Sequence, residues 1–212
     1  MSQPALKTFL NLLTAPCGPL VFNPWRDHDP GTDAAADAPA ARLQRLRAHL
    51  NTKARYLLLG EAPGYQGCHV TGLAFTSERL LMAGSIPRID IAGQRLSTRH
   101  IPWSEPSATT VWGALYELGI AETTVLWNAF AWHPHKPGDL QTNRTPTPAE
   151  RRLGQPVLMK LLQHLGDVQV LAVGQQAATS LRELGIEAKT LRHPSMGGAA
   201  LFREQLRAAV SR

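Results

Sequence analysis

The chain has 212 residues, 22 Lys plus Arg against 16 Asp plus Glu, a formal net charge of +6, and two cysteines. Its length suits one full hydrophobic core rather than two, and no apolar run approaches the roughly 20 residues of a membrane span. Cys17 and Cys68 form neither a CxxC pair nor a four-thiolate set, so neither a metal nor a cluster is expected. The opening MSQPALKTFL lacks the features of a signal peptide, which predicts a cytoplasmic protein with buried thiols and no disulfide.

Residues 5–14 carry apolar positions at helical spacing, and Pro16 and Gly18 end that predicted helix. Residues 22–40, FNPWRDHDPGTDAAADAPA, show no periodicity and read as a long surface loop before a basic amphipathic helix over 41–50. Residues 56–59 predict a first buried strand. TVLWNAF (124–130) and VQVLAVG (168–174) have the length and β-branching of two more. Helices are expected at 76–83, 109–118, 148–164, 175–184 and 199–210, with a weaker strand within 89–96 and a short one at 189–191. This alternation predicts an α/β fold: a single-domain three-layer sandwich with a central, mostly parallel four-stranded sheet flanked by helices.

Each predicted strand ends in open or polar chemistry: GEAPG at 60–64, Asn128, Gly174-Gln175, and His193-Pro194-Ser195. In doubly wound sheets ligands sit outside the carboxyl ends of the strands, so these four ends are expected to converge on one edge. The chain has neither GxGxxG nor GxxxxGK[ST], which removes the main support for a nucleotide cofactor; no cofactor is expected. The HxH pair of His133 and His135 is interrupted by proline and has no acidic third ligand nearby, so it does not read as a metal site. Basic residues with aromatic neighbours, namely Trp25-Arg26, Arg99-His100 with Trp103, and Asn143-Arg144 beside His135-Lys136, are candidates for lining a groove that holds a polyanion.

GEAPG, then Phe75 in GLAFTSE, then Asn128 in VLWNAF, then RHPS at 192–195, stand in an order that resembles the uracil-DNA glycosylase superfamily over about residues 55–205. The form of the first motif is similar to the GEAPG-type branch, but the iron–sulfur cysteines of that branch are missing, which implies a cluster-free subgroup. The resemblance implies a monofunctional hydrolase of DNA base excision repair, working as a monomer on single- or double-stranded DNA that contains a deaminated base. Such a base is flipped out of the stack, read by its Watson–Crick edge and cut from its sugar.

The residue types fit that chemistry. Phe75 offers a stacking face. The Asn128 carboxamide can accept from uracil N3–H and donate to O4, the reverse of what cytosine presents. His193 can donate to uracil O2 as charge builds there during bond cleavage. The resemblance implies DNA contacts for Ser77, Arg192 and Ser195, and a wedge role for Met196 in the vacated stack. Glu61 is the candidate for positioning water or stabilising an oxocarbenium-like sugar.

Two positions depart from the archetype. Ala62 stands where the archetypal uracil enzymes have a catalytic aspartate, and Gly64 where they have a tyrosine that blocks thymine's 5-methyl group. Both line the expected base pocket. A bare Gly64 would leave room for 5-substituted or deaminated purine bases. The alternative implied by Ala62 is a catalytically weak binding protein of the same fold.

Overall fold

The computed structural model describes residues 3–90 and 95–210. In chain order the elements are α1 (Gln3–Leu13), β1 (Val21–Phe22), α2 (Ala38–Leu50), β2 (Tyr56–Gly60), α3 (Cys68–Thr71), α4 (Glu78–Met82), α5 (Pro106–Glu117), β3 (Thr124–Asn128), β4 (His133–Pro134), α6 (Pro148–Leu165), β5 (Gln169–Val173), α7 (Gln175–Glu183), β6 (Lys189–Leu191) and α8 (Ala199–Val210). The main sheet has the order β3-β2-β5-β6, and every pairing in it is parallel. Helices flank it, which makes the fold α/β.

Strand β2 lies between β3 and β5 and is buried along its whole length. A strand covered on both faces must be apolar throughout, and YLLLG is. Burying each of Leu57, Leu58 and Leu59 contributes about 1.5–3 kcal/mol. The parallel register pairs Gly60 with Asn128. The ladder runs one step beyond the strands, with Ala129 N donating to Gly60 O (2.8 Å) and Phe130 N to Glu61 O (3.0 Å). The first motif and Asn128 are thus locked side by side.

Three expectations need correction. Residues 22–40 are not a surface loop: Val21–Phe22 pairs antiparallel with His133–Pro134, residues 38–40 open α2, and Trp25, Asp29, Thr32 and Asp33 are buried. The cause is a set of polar anchors that lack any sequence periodicity. Arg42, fully buried on α2, pairs with Asp33 and donates to the carbonyls of Pro24 (3.1 Å), Asp27 (3.3 Å) and Val70 (3.2 Å). Asp29 Oδ2 lies 2.9 Å from His69 Nε2, His69 Nδ1 lies 2.9 Å from His133 Nδ1, and His133 Nε2 lies 2.8 Å from the carbonyl of Thr142. Trp25 is therefore core rather than groove: it stacks on Trp127 at 5.6 Å and its indole N–H donates to Gly72 O.

The weaker strand within 89–96 falls partly on residues 91–94, which lie outside the described residues; residues 89, 90, 95 and 96 are not in a strand. Ser97 instead makes an isolated bridge with Asp33. Cys17 and Cys68 are free and buried, and burial pushes the Cys17 thiol up to about 12. Among the described residues no helix is long and apolar enough to cross a membrane.

Candidate active site

The carboxyl ends of the parallel strands open into a cleft of about 710 Å³. Its wall includes Glu61, Ala62 and Gly64 after β2, Phe75, Asn128 at the end of β3, and Arg192, His193 and Ser195 after β6. Segments far apart in the chain meet here because each follows a strand of the same sheet.

The tightest point is Gly60. A β-carbon there would lie 2.7 Å from Asn128 Oδ1, 2.7 Å from Phe75 Cζ and 2.9 Å from Phe75 Cε2. A hydrogen-bonding carboxamide and an aromatic ring thus converge over a backbone with no side chain. Phe75 is held with φ of +48°, which is uncommon for a non-glycine residue and costs about 1–3 kcal/mol. The turn before it is fixed from several directions. The Thr71 hydroxyl lies 2.9–3.2 Å from the carbonyls of Gly67, Leu73 and Thr76, and the Thr76 hydroxyl accepts from the Trp112 indole N–H (3.1 Å).

His193 packs against Gly174, whose φ of +93° favours glycine; a β-carbon there would stand in ordinary contact, 3.4 Å from His193 Cβ. The backbone N–H of Ser195 donates to His193 Nδ1 (3.2 Å), and the Ser195 hydroxyl lies 2.7 Å from the same atom. A nitrogen that accepts from an amide has its lone pair free for it, so the proton of the neutral ring sits on Nε2. Burial, with Arg192 adding to it, lowers the His193 pKa and favours that neutral form. The ring centroids of Phe75 and His193 are 6.2 Å apart.

Glu61 is half-buried. Burial raises its pKa, while a hydrogen bond with Thr145 and the charge of Arg151 draw it back down. Its Oε1 is buried without a hydrogen-bond partner. Segment 143–145, which carries Thr145, is held by Arg144. Its guanidinium makes two bonds to Glu150 (2.6 and 2.7 Å), and Glu150 closes a capping box with Thr147 at the start of α6.

Two expected DNA contacts are not in the cleft wall. Ser77 is fully buried, and its hydroxyl is shielded from solvent, so it is in no position to meet a phosphate; it opens α4 instead. Met196 stands 91% exposed beside the cleft with φ of +52°. Arg192 is exposed, with its backbone N–H donating to Gln205 Oε1 (2.6 Å).

Asn143 and Arg144, expected on a groove, also line the cleft, and so does Glu105, which sequence reasoning missed. The Asn143 Oδ1 accepts from Tyr65 N (3.0 Å), and its carboxamide would stand 3.5–3.9 Å from a β-carbon at Gly64. Glu105 belongs to no motif, and WSEPS reads only as the start of a helix.

Fold and cleft define an α/β protein whose site is built on the carboxyl ends of a parallel sheet. The family model of the uracil DNA glycosylase superfamily matches residues 47–208, and the chain belongs to that superfamily. Membership supports a glycosylase-type function with DNA as the partner. The chain is similar in fold to the crystal structure of wild-type Pedobacter heparinus SMUG2, with a TM-score of 0.63 and 16% identity over 99% of this chain and 97% of that one. No curated protein matches it.

Proposed function

We propose that this chain is a monofunctional DNA glycosylase that flips a deaminated base, uracil foremost, out of DNA and hydrolyses its N-glycosidic bond. The observation that carries this reading is the meeting of Asn128 and Phe75 over Gly60, which offers one face for stacking and one edge for reading. Asn128 accepts from N3–H and donates to O4. Cytosine is rejected because the same carboxamide would then face unmatched groups.

His193, neutral and carrying its proton on Nε2, donates to O2 as the C1′–N1 bond breaks, so no proton transfer to uracil is needed. Glu61 faces the sugar, where a carboxylate stabilises positive charge at C1′ and accepts a proton from the attacking water. Ala62 adds no second carboxylate there, and at Gly64 the space expected to be open is faced by the Asn143 carboxamide. Arg192 and Ser195 contact phosphate, and exposed Met196 enters the stack that the base leaves. No lysine lines the cleft among the described residues, which favours plain hydrolysis over a Schiff-base route.

The test is single-turnover release of uracil from an oligonucleotide. Wild type releases the base, and Asn128→Asp loses release while keeping nonspecific DNA affinity, because its charge repels O4; the discrimination lost is about 1–3 kcal/mol or more. Tight binding of damaged DNA by wild type with no base released would mean a binding protein instead.

A further inference from the structure

Residues 143–146 lie between β4 and α6, in no helix or strand, yet they are held firmly from behind. The Arg144 guanidinium donates to the carbonyls of Leu20 (3.0 Å) and His135 (2.9 Å) as well as to Glu150, and Arg144 N donates to Pro134 O (3.3 Å). Arg151 on α6 donates to Pro146 O (3.4 Å) while it pairs with Glu183 on α7.

With Arg144 turned toward these anchors, its two neighbours meet the loop that follows β2. The Asn143 carboxamide faces Gly64 and takes the N–H of Tyr65, and the Thr145 side chain hydrogen-bonds Glu61. The braced segment thus holds the first motif at both ends. The start of α6 also fixes the backbone of Glu61: its carbonyl accepts from Phe130 N, and Phe130 packs so closely on Gly154 that a β-carbon there would lie 2.9 Å from Phe130 Cδ2.

Thr145 is exposed, so it adds little to the core. What it touches is a carboxylate whose Oε1 is buried and engaged by no other group. The last torsion of a glutamate side chain is broad and roughly two-fold, so a single hydroxyl bond can decide which oxygen is left free.

We propose that Thr145 is a positioning residue for Glu61: its hydroxyl holds one side of the carboxylate, so that Oε1 is aimed at the water that attacks C1′. The proposal rests on the glycosylase reading and deepens it. Thr145 touches neither the base nor the reacting atoms and acts only through Glu61. Orientation of this kind is worth a great deal, since a misplacement of about 1 Å can cost about 10²-fold in rate.

The same bond bears on protonation. Burial raises the Glu61 pKa, and the donated hydroxyl opposes that by stabilising the ionised form, which is the form able to take a proton from water. Arg151, from α6, acts in the same direction. The other ionisable groups on the cleft wall are Cys68, Glu105, Arg144, Arg192 and His193.

The experiment follows single-turnover uracil release between pH ~5 and ~9 for wild type, Thr145→Val, Thr145→Ser, Glu61→Gln and the double variant of Glu61→Gln with Thr145→Val. Valine keeps the shape of threonine and loses the hydroxyl; serine keeps the hydroxyl. In Thr145→Val the maximal rate falls by at least about 10-fold at an unchanged half-saturating oligonucleotide concentration. Its acidic limb moves to higher pH, because a carboxylate without its donor is protonated more easily. Thr145→Ser recovers the rate to within about 3-fold. In the Glu61→Gln background Thr145→Val costs less than about 2-fold more, as required of a residue that acts only through another.

An equal loss in both backgrounds overturns the proposal, and so does a wild-type rate in Thr145→Val or a serine variant no better than the valine one. Should Thr145→Val not fold, Thr145→Ala takes its place in both backgrounds. A wild-type rate in Glu61→Gln overturns the assignment while leaving the glycosylase reading intact. A wild type that releases no base defeats that reading, and the proposal with it.

Discussion

The cleft wall and the layer behind it treat carboxyl groups in opposite ways. Behind the wall, Arg42 gives its N–H groups to one carboxylate and three carbonyls, and Asp29, His69, His133 and the Thr142 carbonyl form an unbroken chain of contacts. On the wall, Glu61 Oε1 is buried without a partner and burial alone shifts Glu105. An unmet buried polar atom costs about 1–3 kcal/mol. Ser77 and Trp127 also leave a buried polar atom unmet away from the cleft, but the Glu61 oxygen is the one in the cleft wall, where a bound molecule can supply the partner.

The contrast is sharpest if each region is broken separately. Asp33→Asn leaves Arg42 as an uncompensated buried charge and costs about 3–5 kcal/mol. That lowers the melting temperature by roughly 6–20 °C for a chain of this size, while base release per folded molecule is kept. Thermal melts alongside single-turnover assays on the folded fraction check this, and an unchanged melting temperature would sink the structural role.

Gly60→Ala does the reverse. The added methyl must displace Asn128 or the Phe75 ring, so base release falls by about 10²–10³-fold, as expected when a reacting group moves by about 1 Å. The melting temperature stays within a few degrees, because the backbone at Gly60 is ordinary strand. Equal activity in this variant would show that the base does not sit over Gly60.

The buried histidines and the cleft carboxyls respond to pH with opposite signs. His49 accepts from Leu126 N (3.0 Å), and burial, with nearby Arg88, pushes its pKa down to about 3; burial, with His69 beside it, holds His133 near the same value. The unfolded chain takes up those protons near pH 6.5, so the stability they contribute is full above that value and drains as pH falls toward 3, at up to about 1.4 kcal/mol per pH unit for each group. Asp29, drawn down to about 2 despite its burial by bonds to His69 and Thr32, adds a further loss below about pH 4. Glu105 works the other way: its raised pKa makes the folded state relatively more stable in acid, an advantage lost as pH rises through about 7. Melting temperature therefore declines below pH ~6.5, since His69, His164 and His193 shift the same way as His49 and His133 and together outnumber the two cleft carboxyls, Glu61 and Glu105. In Glu105→Gln it lies above wild type at pH ~8, and the gap closes by pH ~5. A gap that persists in acid would place the effect elsewhere.

Apolar periodicity made the sheet legible: the strands containing LLL, VLW and VLA lie where the sequence put them, within two residues, as do α4, α6, α7 and α8, while α5 starts three residues earlier than expected and the four-residue α3 was not foreseen. The convergence of Gly60, Phe75 and Asn128 was legible because strand ends in a parallel sheet share one edge. Residues 22–37 were misread because Asp29 and Asp33 are polar residues buried by partners on α2 and α3, and pairing across such distances leaves no local period. Glu105 was invisible for a related reason. Its place depends on Gly67, distant in the chain, having no side chain, and nothing in WSEPS carries that information.

The edge position of β6 has a consequence for synthesis. A ribosome delivers β2, the Phe75 turn and β3 well before β5 and β6, and β2 and β3 are direct neighbours in the sheet. The strands that place Phe75 and Asn128 can thus pair on a nascent chain once Asn128 has emerged. His193, which follows β6, arrives only after β5 and β6 have been made. On the proposed function, the order of translation separates grip from cleavage, and a product interrupted before His193 would lack the group that helps the base leave.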